Sequence, residues 1–245
     1  MTTASTDDDA ETAGRHSPAP DRPAHEHGAS GGSQSDRPAP GETLNLGATT
    51  TPRQAATLIL LRDGDDQLEV LLVKRNPKAR FMGGVWVFPG GAVDAADADA
   101  GDRDGELAAH RIAAVRELRE EAGIEVEDPA ALVAFSRWIT PAEVKIRYDT
   151  LFFLALLPNG QEPRIDGEEC VDWGWFSPSS ALEAHTNGEI ALVFPTIAHL
   201  DMLAPFAATD AVLAHARNLT IEPVLPKVVV DGDSARVLLP GDPGY

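Results

Sequence analysis

The chain has 245 residues, 39 acidic against 20 basic side chains, a formal charge of −19 and a single cysteine, Cys170. Such a charge argues against a nucleic-acid surface or a polybasic membrane anchor, since both need clustered Lys and Arg. One cysteine can form neither an internal disulfide nor a cysteine-based zinc site, and a hydrophobic fraction of 43% is enough for one core.

The first 48 residues read as an acidic tail rich in Ala, Pro and Gly. From Thr2 to Thr43 there is no Val, Ile, Leu, Phe, Tyr, Trp or Cys. Such a segment cannot bury enough apolar surface to offset chain entropy, so disorder is expected. His16, His25 and His27 lie in it as scattered spacers. The start lacks the apolar stretch of a secretory signal and is too acidic for a transit peptide. The longest apolar run, 151–157, is far short of the ~20 residues of a membrane span. The expectation is a cytoplasmic protein without a membrane or nucleic-acid partner, with a homodimer left open.

Strands are expected at 55–61 and 68–73 around a turn at Asp63-Gly64. A short strand at 85–88 ends at Pro89-Gly90-Gly91, a strong chain break. An acidic stretch, 94–106, reads as a solvated loop. Its acids do not follow the alternating spacing of a calcium loop. A helix from about 106 to 122 stops at Gly123, the residue type preferred just past a helix end. Strands follow at 131–138, 148–157 and 171–176. Helices are expected from Ser177-Pro178 through His185, at 196–203 and at 210–217. The Pro-rich end, 219–245, reads as extended edge structure after a folded domain at 49–218. This order suggests mixed α/β layering.

The segment Arg116-Glu117-Leu118-Arg119-Glu120-Glu121-Ala122-Gly123-Ile124 stands apart. On a wheel of 100° per residue, Val115, Leu118 and Ala122 share an apolar arc with Ile112, and Glu117, Glu120 and Glu121 fall on the arc opposite. Acids at a helix C-terminus oppose the helix dipole, so helix stability disfavours the arrangement. A hard divalent cation such as Mg2+ or Mn2+ resolves it, because it accepts carboxylate oxygens and removes the repulsion.

This segment matches the second half of the nudix box, Gly-x5-Glu-x7-Arg-Glu-U-x-Glu-Glu-x-Gly-U, where U is apolar, and Phe88-Pro89-Gly90-Gly91 is similar to its entry. The resemblance covers roughly residues 54–203. It implies an α/β/α sandwich around a mixed sheet and metal-dependent hydrolysis of a nucleoside diphosphate linked to another group. It implies Glu117, Glu120 and Glu121 as metal ligands, braced by Arg116. One departure matters. From Gly91 to Arg116 is 25 positions against 14 in the standard box, an insertion of 11 residues. The first Glu of the box falls at Ala108. Glu106 is the nearest substitute from the helix side, and Asp94 or Asp97 from the glycine side.

A second resemblance narrows the substrate. Leu71-Leu72-Val73-Lys74-Arg75-Asn76, then Arg80, Gly84 and Phe88-Pro89-Gly90-Gly91, keeps the spacing of the signature found upstream of the box in coenzyme A diphosphatases. Val73 and Asn76 depart from it, where that branch has Thr and Ser or Ala. The implied substrate is coenzyme A or acyl-CoA, with Arg75, Arg80, Gly90 and Gly91 as its contacts. Guanidinium groups suit phosphate oxygens. The same box would also serve ADP-ribose, an NDP-sugar, a dinucleotide or an oxidised nucleotide, or a nucleotide-binding module without catalysis. Candidates for the base that activates water are Glu143, Glu168 and Glu169. Phe81, Trp86, Trp138 and Trp175 read as core aromatics, and Cys170 as inert.

Overall fold

The computed structural model describes residues 45, 47–65, 67–79, 82–101, 107–231 and 234–245. The expectations for the tail, Arg80, Phe81 and Glu106 lie outside the described residues. The rest folds around one large mixed sheet with a small separate hairpin.

β1 (Arg53–Asp63) and β2 (Leu68–Arg75) are near-continuous Val/Leu/Ile runs, the pattern of strands buried on both faces. Ile59, Leu61, Val70 and Leu72 point to one face, and Leu58, Leu60, Leu71 and Val73 to the other. β6 (Tyr148–Leu156) runs parallel to β1 along nine residue pairs, from Arg53↔Tyr148 to Leu61↔Leu156. β5 (Val133–Ile139) lies antiparallel outside β6, and β7 (Cys170–Phe176) antiparallel outside β2. Each large side chain withdrawn completely from water, such as Phe153, contributes about 1.5–3 kcal/mol.

One face carries α2 (Ala108–Ala122), which packs Ala113, Ala114, Leu118 and Ala122 onto the sheet. The opposite face carries α3 (Pro178–Thr186), α4 (Phe194–Leu203) and α5 (Thr209–Ala216), through Ala181, Leu200, Leu203, Val212 and Ala216. The result is an α/β/α sandwich. Ser177 caps α3 by accepting from the Ser180 N–H, with Pro178 at the first helical position.

The sheet is split at its centre. β1 pairs with β2 only over 61–63, next to the Asp-Gly turn. Further along, β3 (Trp86–Val87) takes the place beside β2, and β4 (Gly90–Ala92) the place beside β1. The Phe88-Pro89 step joins them, and the Leu58 N–H donates to the Pro89 carbonyl at 2.9 Å. Pro89-Gly90-Gly91 is therefore not only a chain break, because the two glycines continue as a strand that β1 pairs.

The acidic insertion also differs from a solvated loop. α1 (Ala95–Gly101) starts with a reciprocal cap: the Asp97 N–H donates to Asp94 Oδ1 at 2.9 Å, and the Asp94 N–H to Asp97 Oδ2 at 3.0 Å. Alternating Ala and Asp supply propensity and caps at once. At the C-terminal end, β8 (Pro223–Val224) joins the main sheet parallel to β5, while β9 (Lys227–Asp231) and β10 (Ser234–Leu238) form the separate hairpin.

Candidate active site

α2 ends at Gly123, whose φ of 65° lies in the left-handed region and whose N–H donates to the Arg119 carbonyl. That stop fixes Glu117 and Glu121 against β4. The buried arc of the helix runs from about 100° to 280° on the wheel above. Ala113 and Ala122 mark its edges, and Glu117, Glu121, Ala114 and Leu118 lie within it. The carboxylates are therefore not opposite the core. Small alanines carry the contact with the sheet, which rotates the face away from the bulkier Ile112.

Glu121 is 2% exposed and Glu117 13%, whereas Glu120 is 50% exposed. Glu121 Oε2 accepts from the Gly90 N–H at 3.0 Å, and its Oε1 lies 3.7 Å from the Arg75 guanidinium. Gly91 crosses directly over Glu117: a Cβ there would come within 2.6 Å of the carboxylate carbon. Arg116 ties the cluster together. Its Nη1 donates to Glu117 at 2.8 Å and to Glu120 at 3.0 Å, and its Nη2 to the Ala92 carbonyl at 3.0 Å. The Nε and Nη2 groups also fork onto Asp97, which is 3% exposed. Of the two substitutes among the described residues, Asp94 and Asp97, it is Asp97 that grips Arg116. Asp94 lies 3.8 Å from it.

Burial raises the Glu121 carboxyl to about 7; the Gly90 N–H opposes the rise, and Glu117 adds to it. Burial also raises Glu117, against the pull of Arg116. Glu169 pushes both upward, so it belongs to the same cluster. Its loop is held from two sides. Asp166 Oδ1 accepts the N–H groups of Glu168 and Glu169, and Asn76 donates its N–H to the Glu169 carbonyl and its Nδ2 to the Glu168 carbonyl. Glu168 and Glu169 are both exposed, and Glu143 has one oxygen buried and unpartnered. Buried Cys170 has its thiol pushed up to about 12 by desolvation.

These groups open on a cavity of about 430 Å³. Its lining includes Arg75, Gly90, Gly91, Glu117, Glu121 and Glu169, and also Trp138, Tyr148, Phe152, Phe194, Pro226 and Val237; the order β4-β1-β6-β5-β8 across the sheet sets Trp138 and its neighbours two or more strands away from Gly90 and Gly91, a second end of the cavity. Sequence reasoning missed this second end, as well as Asp166 and Asn76. An Asp-Gly pair at Asp166-Gly167 is the local signal that marks a side-chain-stabilised turn.

Among the described residues no three His, Cys, Asp or Glu side chains form a ready-made metal cage. Mg2+ does not require one. It commonly takes one or two carboxylates and fills its other positions with water and substrate phosphates. Two adjacent glutamates whose pKa values are raised first by burial and then by neighbouring carboxylates are a fitting hard-oxygen donor set.

A glutamate-bearing helix closed by an αL glycine and packed on the split of a mixed sheet is the arrangement of a phosphoanhydride hydrolase. A family model described as the NUDIX domain matches residues 52–195. The chain is 31% identical over 217 residues to nudix hydrolase 7 of Caenorhabditis elegans, so named there by inference, covering 74% of this chain and 70% of the relative. It is 26% identical over 269 residues to the acyl-coenzyme A diphosphatase NUDT19 of Homo sapiens, covering 72% of each. A crystal structure of a nudix hydrolase from Alicyclobacillus acidocaldarius superposes with a TM-score of 0.63 at 28% identity, over 72% of this chain and all of that one. The chain belongs to the nudix family and is a pyrophosphohydrolase. Nudix hydrolases generally use divalent metal ions. No helix among the described residues is long and apolar enough to cross a membrane.

Proposed function

We propose that the protein hydrolyses the diphosphate of coenzyme A or acyl-CoA to adenosine 3′,5′-bisphosphate and (acyl-)4′-phosphopantetheine. One observation carries this reading. Arg75, spaced as in the coenzyme A diphosphatase signature, reaches Glu121 at the mouth of a cavity whose far end is uncharged. The likeness to the human acyl-coenzyme A diphosphatase supports it.

Glu117 and Glu121 would hold Mg2+ or Mn2+, with Glu120 close by on the same Arg116 nitrogen. When bound, the cation neutralises diphosphate charge and lowers the pKa of coordinated water. Arg75 is set to meet a diphosphate oxygen, and Gly90 and Gly91 line the cavity beside it, with the Gly90 N–H donating to Glu121. Glu169 is the base among the three candidates that lies in the cavity. It would take a proton from water as the water oxygen bonds to one phosphorus and that phosphorus loses its bond to the bridging oxygen, which leaves on the other phosphate. Arg116 and Asp97 act through Glu117 as positioning residues.

The test is mass-spectrometric product analysis on coenzyme A, acyl-CoA, ADP-ribose, NADH, an NDP-sugar and an oxidised nucleotide, each with Mg2+, with Mn2+ and with chelator. Adenosine 3′,5′-bisphosphate as the main product, formed only with metal, is expected. A tenfold preference for ADP-ribose or an NDP-sugar would overturn the substrate reading.

A further inference from the structure

Charge divides the cavity. Among the described residues, its charged lining consists of Arg75, Glu117, Glu121 and Glu169, and these four interact with one another around Glu121. The rest forms a limb walled by groups such as Ile139, Val144, Phe194, Pro226 and Val237, with no charged side chain. We propose that this limb is the subsite for the acyl-pantetheine half of the substrate, and that Pro226 and Val237 limit how far an acyl chain enters. The inference rests on the coenzyme A reading and adds its orientation and its specificity wall.

A diphosphate held at the carboxylates can send either organic half into the limb. One half is adenosine with a further 3′-phosphate. The other is an uncharged arm with two amides, ending in a thiol or an acyl thioester. A phosphate buried where no cation faces it carries the cost of an unpaired desolvated charge. An alkyl chain gains with each methylene withdrawn from water. The uncharged half therefore goes in, and the 3′-phosphate half stays on the side of Arg75, the one cationic side chain among the described lining residues.

The rings of the limb favour a chain over a purine. Phe152 stacks on buried His199 at 3.9 Å between centroids, and Trp138 meets Phe194 edge-on at 5.9 Å. These aromatic surfaces are spent on one another, and they leave a greasy wall rather than a parallel slot. Part of the wall comes from beyond the 52–195 span that the family model matches. β8 docks on β5 at Trp138↔Val224, which sets Pro226 at the rim, and β10 brings in Val237 at 2% exposure.

The experiment compares kcat/KM of the full chain with Mg2+ on coenzyme A, acetyl-CoA, octanoyl-CoA and ADP-ribose. Octanoyl-CoA should exceed coenzyme A by at least about tenfold, the discrimination a methylene or two gains in an apolar pocket. Val237→Phe should shorten the limb and lower the octanoyl-to-coenzyme A ratio by about fivefold or more. Val193→Phe narrows the limb from the α4 side at a half-buried position, so it tests the same ratio if Val237→Phe fails to fold. A wild type that cleaves coenzyme A with no chain-length preference overturns the inference and leaves the coenzyme A reading standing. Cleavage of ADP-ribose alone overturns that reading and this inference with it. Folded variants that keep the wild-type ratio, or that lower all four substrates alike, place the shared adenosine half in the limb and overturn the inference.

Discussion

Gly90 and Gly91 are adjacent, yet each is required for a different reason. A Cβ on Gly90 would meet backbone, 2.6 Å from the Ala56 carbonyl oxygen and 2.7 Å from Thr57 Cα, and β1 cannot step aside. A Cβ on Gly91 would meet only the end of the Glu117 side chain, which can swing away. Gly90→Ala should therefore destabilise the fold by about 1–3 kcal/mol in urea unfolding. Gly91→Ala should change stability little but lower kcat/KM by at least about tenfold, because it displaces a carboxylate at the site. Equal effects of both changes on stability would refute the distinction. His199 makes a separate prediction. It is fully buried, hydrogen-bonded to Ser136 Oγ at 2.6 Å and to the Pro195 carbonyl at 2.6 Å, and desolvation lowers its pKa to about 4. Its folded pKa is below the unfolded value near 6.5, so the unfolded chain takes up the proton first and stability falls as pH drops through that window. Between pH 7 and pH 5 the wild type should lose about 2 kcal/mol more than His199→Gln. Taking the difference cancels Glu121, whose raised pKa acts in the opposite sense. Parallel pH profiles for the two proteins would count against it.

At the scale of elements, α1 and α2 are joined by Arg116. Asp97 takes two guanidinium nitrogens and at the same time closes the cap of α1, so one buried carboxylate serves a helix start and the site. Arg116→Ala leaves it unpaired and should cost about 2–3 kcal/mol. Adding Asp97→Ala should recover part of that loss, since the stranded charge is gone; denaturation of the four proteins of the cycle measures the coupling. Full additivity would mean that the two side chains act independently. The end of α2 at Gly123 was legible because its signal is local, an αL stop after a helical run. Which side of α2 faces the sheet was not. The apolar pattern named Val115, Leu118 and Ala122, which do pack on the sheet, but it also named Ile112, and it left out Ala113 and Ala114, whose close packing turns Glu117 and Glu121 inward. α1 was misread as loop because its acids look solvated until Asp94 and Asp97 are seen to cap one another. β4 was hidden for a similar reason: two glycines carry no strand signal, and only β1 supplies their partners.

For the whole molecule, residues 1–43 hold no large apolar side chain besides Met1, and the family model begins to match at residue 52. A chain starting at Leu44 should keep kcat/KM within about twofold of the full protein, because the removed segment has almost no apolar side chains to contribute to a core. Loss of solubility or of most activity on truncation would show that the tail packs on the fold.

By itself the sequence determined the fold class, the strands that became β1, β2 and β6, and the helix that ends at Gly123 with its three glutamates. These depend on periodicity, caps and motif spacing, which are properties of neighbours along the chain. Tertiary structure alone decided that Glu117 and Glu121 face inward while Glu120 stays exposed, that Asp97 of α1 joins Glu117 and Glu120 of α2 in holding Arg116, and that Glu169 is the candidate base that lines the cavity. It also brought Pro226 and Val237 into the cavity lining. Each of these depends on segments tens of residues apart being brought together by the packing of two cores on a split sheet, and no local pattern encodes that distance.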